Sequence, residues 1–339
     1  MFSSNTSAVS GDANYVEDVF STYLYTVDGT TTQAIPNGID LTTYGGIVWE
    51  KARDQSYNNC VTYQSASKYL VTNSTGAANN TGVTFTTNGY TMNNVYGPWS
   101  PTGTKMASWT FRKQPKFFDV VTYTGNGTTQ TIPHSLGSAP GCVIIKKTSA
   151  SSSEGWFIFH RSISGSYLRF DTNASNTVGA ATGFGNNTTT VDPSSTVITV
   201  GSYGDVNANG QTFVAYLFAH DAGGFGLTGT DNVISCGSFT TDGSGNATVN
   251  LGYEPQWLLT KQTNASGDAW RIFDNMRGWP NNSTGPQSLF PNNANAESAY
   301  GAQESLTATG FGINTFNASA TYIYIAIRRG PMKVPTDAT

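Results

Sequence analysis

The feature that most constrains the fold of this chain is a set of segments that recurs three times in the same order. Each copy opens with a strand-like stretch that runs into a polar turn, at residues 25–31, 123–129 and 239–245. An Asp-Gly or Asn-Gly pair lies in each turn, and such pairs tolerate the positive φ angles of a two-residue hairpin. The pattern therefore predicts a hairpin at the start of each copy.

A short apolar run follows in each copy and ends close to a lysine. A continuous apolar run of this length is typical of a strand that is buried on both faces. The lysine indicates that the strand then emerges into solvent. The runs are residues 47–49, 143–145 and 257–259, and the lysines are Lys51, Lys147 and Lys261.

Two further markers keep the same order. Residues 156–160 match residues 270–274, and both begin with tryptophan, whereas the first copy has no tryptophan there and is weakest around residues 57–63. Several markers in one order predict three tandem repeats of about 100 residues, a normal domain size. The β-rich segments that close the copies are residues 106–111, 213–218 and 322–327.

The repeats divide the chain into an N-terminal arm, three β units and a C-terminal arm. The junctions between the units are short, so we expect self-contained units that pack together, around a pseudo-threefold axis or as a rod. Polar arms of this kind often become ordered by docking on a neighbour. The predicted boundaries are residues 1–14, 15–115, 116–222, 223–329 and 330–339.

The fold class follows from the short strand-like runs, which turn residues separate throughout each copy. No helical periodicity persists over three turns. The chain is therefore predicted to be all-β, with three tandem antiparallel β-sandwich or jelly-roll-like repeats. A β-propeller is disfavoured, because its blades are about half as long as these copies.

Composition excludes several classes of protein. Only 11% of the residues are charged, the net charge is −4 and 12% are aromatic, which argues against intrinsic disorder and against nucleic-acid binding. No apolar run approaches the roughly 18 residues of a membrane-spanning helix. The N-terminus lacks a signal-peptide pattern, so we expect synthesis in a cytoplasm. The odd set Cys60, Cys142 and Cys236 predicts buried free thiols instead of disulfides.

Residues for metal, cofactor or nucleophilic chemistry do not form a recognisable set. His134, His160 and His220 lie in unrelated contexts, without partners at ligand spacing, so no zinc site is predicted. The sequence has no phosphate-binding glycine loop and no G-x-S-x-G motif. We therefore expect a protein that is not an enzyme and uses no cofactor.

Paired carboxylates of the kind that cleave glycosides meet only in space, and a sequence cannot reveal them. Asp274 ends a strand-like run and is expected to be a solvated acid at a loop edge. The candidates by residue type alone are Asp171, Asp274, Glu297 and Glu304.

Two tryptophans lie in glycine- and proline-bearing loops. Trp99 lies in residues 96–101, and Trp279 follows Arg277 in residues 277–281. An exposed ring beside Asn or Arg is a workable platform for stacking a sugar or contacting a partner. The alternative is that each ring fixes its own loop to the sandwich or packs at a subunit contact.

Basic residues cluster where two of the units end. They are predicted to be solvated strand ends or, alternatively, electrostatic contacts with an acidic neighbour. The clusters are Arg112, Lys113 and Lys116, and Arg328 with Arg329.

Residues 123–161 carry the motifs Y-T-G-N-G, I-P-H-S-L-G, P-G-C-V-I-I-K-K and G-W-F-I-F-H-R. Together with residues 107–113 and 274–278, they resemble β-rich tandem-repeat proteins of tailed bacteriophages, particularly marine ones. The resemblance covers residues 15–332 and implies a virion structural protein, of a group usually described as tail fibres. It carries no established catalytic residues.

Our leading hypothesis is a structural protein on the exterior of a phage particle, as a tail fibre or tail-associated subunit that meets the host surface. A capsid decoration protein is the first alternative. A glycan-binding module acting through Trp99 or Trp279 is the second, and a polysaccharide depolymerase is the third. The expected partners are other virion proteins, a host surface glycan and further copies of the chain. Because phage fibres and decorations are commonly trimers, we expect a homotrimer, although three units in one chain could supply a threefold-like body alone.

Overall fold

The computed structural model describes residues 14–63, 65–80, 83–92, 101–149, 155–279, 287–299 and 305–331. Most regular structure in these residues is antiparallel β-strand, so the predicted all-β fold class is confirmed. The helical elements are one turn long. They are α1 (Leu41–Tyr44), α2 (Gly204–Asn207) and the 3-10 turns Val16–Asp18, Arg161–Ile163, Ala180–Thr182 and Asn275–Arg277.

Each described strand lies inside one of the three predicted units. The first unit contains β1 (Phe20–Thr26), β2 (Gln33–Ile35), β3 (Gly46–Ala52), β4 (Cys60–Tyr63), β5 (Ser65–Val71), β6 (Asn79–Asn80), β7 (Val83–Thr86), β8 (Gly89–Met92) and β9 (Lys105–Arg112). The second contains β10 (Phe118–Thr124), β11 (Gln130–Pro133), β12 (Cys142–Lys147), β13 (Phe157–His160), β14 (Ser166–Arg169), β15 (Thr177–Val178), β16 (Val197–Val200) and β17 (Thr212–Phe218). The third contains β18 (Ile234–Thr240), β19 (Ala247–Asn250), β20 (Pro255–Gln262), β21 (Arg271–Asp274), β22 (Gln287–Ser288), β23 (Ser298–Ala299), β24 (Ser305–Thr307), β25 (Gly310–Ile313) and β26 (Thr321–Arg328).

One strand order recurs in the larger sheet of each unit, which we call the main sheet. The orders are β1-β9-β3-β4-β5-β6, β10-β17-β12-β13-β14-β15 and β18-β26-β20-β21. In each, the first strand of the unit pairs with the last, and the last pairs with the strand that carries the apolar run. A small sheet accompanies each main sheet, namely β2-β8-β7, β11-β16 and β19-β25-β24. This recurrence agrees with the interpretation of three sandwich-like tandem repeats, which stays a prediction.

The turn that opens each unit is not the predicted hairpin. Its flanking strands belong to different sheets, since β1 pairs with β9 whereas β2 pairs with β8, and the other units repeat this. The first turn side chain instead accepts a backbone N–H two residues ahead, forming an Asx turn where the chain crosses between sheets. The pairs are Asp28 with Thr30, Asn126 with Thr128 and Asp242 with Ser244, each at 2.8 Å.

The apolar strand of each main sheet is buried on both faces, as its sequence predicts. All seven residues of β3 are buried. Ile47 and Trp49 face the centre of the molecule, and Val48 faces the outer cluster beneath the small sheet. The prediction that these strands then emerge into solvent is wrong, because Lys51 and Lys261 are 0% exposed. Each strand ends against a neighbouring loop and not against water.

The centre of the molecule is a single apolar cluster to which all three units contribute, and we call it the central core. Phe111 of β9 shows how it is built. Its ring lies 5.0 Å from that of Phe20, 5.7 Å from Trp257 of the third unit, and 5.5 and 5.7 Å from Phe118 and Phe218 of the second. Burial of one such ring stabilises the fold by about 2–3 kcal/mol.

The units form a ring and not a rod. Phe170 of the second unit packs between Trp49 of the first, at 5.5 Å, and Trp270 of the third, at 4.8 Å. The first and third units also meet directly, through Phe111 and Trp257. Each unit therefore contacts both others. The expectation of self-contained units is wrong in this respect, because the inner face of each main sheet is covered only by its neighbours.

Because the central core is shared, we predict that Phe111→Ala lowers the free energy of unfolding of the whole chain by about 3–5 kcal/mol. Urea unfolding followed by far-UV circular dichroism and by tryptophan fluorescence should give one coincident transition at a lower midpoint. Thr31→Ala, in an exposed turn of the same unit, should change stability by less than about 0.5 kcal/mol. Separate transitions for the two signals would contradict a shared core.

Candidate functional site

The residues singled out as a sugar or partner platform are not exposed where the structure describes them. Trp279 is only 2% exposed and packs against Phe273 and Phe311 in the outer cluster of the third unit. Arg277 is 3% exposed. Neither side chain can stack on a sugar in this conformation, so the alternative of a ring that fixes its own loop describes Trp279. Trp99 lies outside the described residues.

Arg277 forms a buried ion pair with Asp274. Its Nε lies 2.7 Å from Asp274 Oδ2, and its backbone N–H donates to Asp274 Oδ1 at 3.0 Å. The Arg277 guanidinium also donates to the carbonyl oxygen of Ile272 at 2.9 Å. Asp274 was expected to be a solvated acid, but it is 0% exposed. The sequence misleads here because β21 ends against another unit.

The ion pair belongs to the seam between the third and first units. Trp109 of β9 donates its indole N–H to Asp274 Oδ2 at 3.0 Å. Beside it, Arg53 of the first unit makes two hydrogen bonds to Glu297 of the third, at 2.7 and 2.9 Å. Arg277 Nη1 lies 3.7 Å from Glu297, which links the two pairs into one network.

The carboxylate candidates are therefore brought together only in part. Asp274 and Glu297 share Arg277, but the arginine stands between them, and Asp274 is closed off from solvent. Asp171 accepts the backbone N–H of Trp156 at 2.9 Å, a structural bond within its own unit. Glu304 lies outside the described residues. A glycosidase needs two carboxyl groups that flank an accessible bond, and this arrangement does not supply them.

The residue just before the fourth main-sheet strand closes each seam. In the second and third units it is a tryptophan, and in the first unit it is Asn59. In each case a side-chain N–H crosses to a backbone carbonyl at the matching position of the neighbouring unit. The bonds run from Trp156 to Val71 at 3.1 Å, from Trp270 to Arg169 at 2.9 Å and from Asn59 to Phe290 at 2.9 Å.

A backbone bond crosses each seam beside it. The carbonyl that follows each lysine-bearing strand accepts an N–H from the neighbouring unit. The bonds are Ala78 to Thr148 at 3.2 Å, Asn176 to Thr263 at 2.9 Å and Glu297 to Arg53 at 2.7 Å. The first unit thus bonds to the second, the second to the third and the third to the first.

Sequence reasoning missed these seam residues. The Trp156 and Trp270 match was visible, but the first copy seemed to break the pattern because it has no tryptophan. Asn59 occupies that position, directly before β4, and its amide supplies the same kind of donor. A comparison of the three copies by side-chain N–H donors, and not by aromatic rings, would have identified Asn59 as the equivalent residue.

His160 occupies the position of Asp274 in the second unit, and it is 0% exposed. Its Nδ1 accepts the backbone N–H of Ser162 at 3.2 Å, so the neutral ring carries its proton on Nε2. Nε2 lies 3.1 Å from the carbonyl oxygen of Tyr324 in the third unit, to which it donates. Burial lowers the pKa of His160 to about 3.

Three lysines are buried at the same register position of the main sheets. They are Lys51, Lys146 and Lys261, so in the second unit Lys146 takes the position expected for Lys147. Each donates to backbone carbonyls, and two of the bonds cross seams, from Lys146 to Thr75 at 2.8 Å and from Lys261 to Asn173 at 3.4 Å. Burial lowers the pKa of Lys51 and of Lys261 to about 8.

The three cysteines and Glu50 are further titratable groups that are buried. The three cysteines are free and buried, as predicted, and burial raises the pKa of each thiol. Glu50 lies in the outer cluster of the first unit and accepts hydrogen bonds from Tyr25 at 2.8 Å and from Tyr90 at 2.7 Å. Burial, and then the charge of Glu50, raise the pKa of both phenols.

The basic residues at the unit ends pair with acids of this same chain. The pairs are Lys113 with Asp119 at 2.9 Å, Arg328 with Asp231 at 3.0 Å and Arg329 with Glu254 at 2.8 Å. The acids are Asp119 of β10 and two loop residues, so these contacts lie within the chain, and Arg329 keeps 61% of its side chain exposed, as a solvated strand end would.

Besides the seams, the described part of the chain has an open cavity of about 410 Å³, lined by Tyr253, Glu254, Arg328 and Arg329. An apolar cavity of about 20 Å³, lined by Trp49, Trp156 and Phe170, lies between the first two units and has room for about one water molecule. Among the described residues, His, Cys, Asp and Glu side chains form no group of three or more that could hold a metal ion. None of the described helices has the length and apolarity to cross a membrane.

A family model described as Domain of unknown function (DUF7483) matches residues 16–331. The matched range takes in all three main sheets and all three seams. No curated protein matches the chain.

We predict that Asp274→Asn costs about 3–5 kcal/mol of unfolding free energy, because it leaves the buried Arg277 charge without its partner. Equilibrium unfolding in urea measures this. Glu254→Gln is the matched control, since it breaks an exposed ion pair with Arg329 and should cost less than about 1 kcal/mol. Equal effects of the two variants would contradict the burial of the network.

We also predict that acid destabilises the fold through His160. The folded state keeps this ring neutral down to pH about 3, whereas the unfolded chain binds a proton near pH 6.5, so its contribution is complete above pH 6.5 and declines towards pH 3. His160→Gln, whose amide can donate to Tyr324, removes the titration. The decrease in unfolding free energy from pH 7 to pH 4.5 should therefore be smaller in this variant than in the wild type.

The half-buried His134 provides the control for that experiment. His134→Gln should leave most of the acid sensitivity in place, because this ring is partly open to solvent. An unchanged acid sensitivity of His160→Gln would contradict the role of the buried ring.

Proposed function

We propose that this chain, which belongs to the family of the Domain of unknown function (DUF7483), is a structural protein on the exterior of a tailed-phage virion. The observation that carries the proposal is the closed ring of three units, in which buried charges and indole N–H groups are used to hold the seams. Such a body resists deformation, which suits mechanical display outside a cell. The low content of charged residues and the resemblance of residues 123–161 to phage proteins also support it.

The attachment point has two candidates. The resemblance favours the tail, where the chain would be a fibre or tail-associated subunit that meets the host surface. The ring favours a second candidate, a capsid decoration protein, because a compact threefold-like body fits the symmetric points of a head better than it fits an elongated shaft.

Immunogold labelling of purified particles tests both the proposal and the attachment point. Antibodies raised against the recombinant chain should label the particle exterior, over the tail for the first candidate and over the whole head for the second. Antibodies first absorbed with the recombinant chain are the control. If mass spectrometry finds no copy of the chain in purified particles and no label appears, the proposal is wrong.

A further inference from the structure

The three seams of this ring are equivalent, and one chain supplies all of them. A side-chain N–H donor at one matching position, and a matching backbone bond, recur at the first–second, second–third and third–first seams. In a homotrimer of single units, the third–first seam would join two separate chains. Here it is intramolecular, so the body already has the closure that a trimer would gain by association.

One end of the ring gathers the two junctions and both ends of the described chain. Asn14 accepts a backbone bond from Gly226 in the second junction at 2.9 Å, and Gln114 in the first junction donates to Asn14 at 3.2 Å. Val16 donates to the carbonyl of Pro331 at 3.3 Å, so the two ends of the described chain lie side by side. We call this end the junction face. It comprises residues 14–19, 112–117, 219–233 and 328–331.

Exposed apolar side chains concentrate around the junction face. Leu227 is 79% exposed at the tip of the second junction, whose loop is anchored by the fully buried Phe225. Tyr44, at 50%, lies beside the first junction, since Arg112 covers one side of its ring. Met276, at 55%, lies in the 3-10 turn that follows β21, where that strand reaches the same end. The fourth such residue described, Val178, lies on the edge strand β15.

We infer that the chain acts as a monomeric pseudo-trimer and that its junction face docks on a threefold-symmetric protein of the virion, with one copy on each threefold axis. This inference rests on the proposed function and deepens it by naming the kind of partner. It replaces the homotrimer expected from the resemblance with the alternative of a threefold-like body in one chain.

The geometry explains why one copy is enough. The backbone of the ring repeats three times, so it can follow a partner surface that repeats three times about an axis. Leu227 and Met276 do not repeat, since the matching position of Met276 in the second unit is Ser162. Because the partner repeats identically about its axis, turning the chain by a third of a turn gives the same complex, so all three orientations should be populated equally.

Two measurements test the stoichiometry. Light scattering of the purified full chain in solution should give the monomer mass of 36.0 kDa. A density map of the particle should show one such body per threefold axis, one chain for three partner subunits, with its junction face turned to the partner. A trimer in solution, or three copies around an axis, would overturn the inference.

A charge placed on the junction face tests the docking surface. Leu227→Asp should weaken rebinding to particles that lack the chain by at least tenfold, measured as the protein that co-sediments with them. Asn209→Asp, which adds the same charge in an exposed turn at the opposite end, should rebind like the wild type. Thermal unfolding shows whether both variants remain folded. We expect that they do, because the side chain of Leu227 lies largely in solvent.

The outcomes separate this inference from the proposed function. A chain present in particles but away from threefold axes, or a folded Leu227→Asp variant that rebinds normally, overturns the docking inference and leaves the virion role intact. A chain absent from particles overturns both.

Discussion

The burial of each main sheet between its own small sheet and the other two units is the constraint on which the rest of the structure depends. The inner sheet faces contribute to one central core, so polar groups at the seams, such as Asp274 and Asn59, lose water when the ring closes. An unpaired buried N–H or carbonyl costs about 1–3 kcal/mol. The seam bonds follow from this requirement, and their threefold recurrence follows from the common strand order.

The seams show how one position can be filled by different chemistry. Trp156, Trp270 and Asn59 each present a side-chain N–H, so each satisfies a backbone carbonyl at the matching position of the preceding unit around the ring. His160 and Asp274 also share a position, and both accept a backbone N–H from the turn that follows. The aspartate requires a cation, which Arg277 provides, whereas the neutral histidine does not. The third unit therefore carries an ion network at its seam with the first.

Buried charges in this molecule lie near the seams, and several of them find their partners within their own unit. A fully buried ion pair such as Asp274–Arg277 gains little over a well-packed apolar pair, yet it is strongly disfavoured when one partner is displaced. The same holds for the lysines at the sheet ends, whose ammonium groups meet carbonyls of adjacent loops. A shift of the units relative to one another would break the bonds that cross a seam, such as Lys146 to Thr75 and Trp109 to Asp274.

The all-β class and the strands buried on both faces could be predicted from the amino-acid sequence, because runs such as residues 47–49 and their order are local properties of the chain. The free state of the three thiols could be predicted in the same way. The burial of Asp274, Arg277 and Trp279 could not be predicted in this way and became evident from the folded arrangement. Each lies in a polar or turn-like stretch, which predicts an exposed side chain. Each is buried because another part of the chain folds over it. Burial at a seam depends on what packs there, and that information is distributed over residues far apart in the sequence.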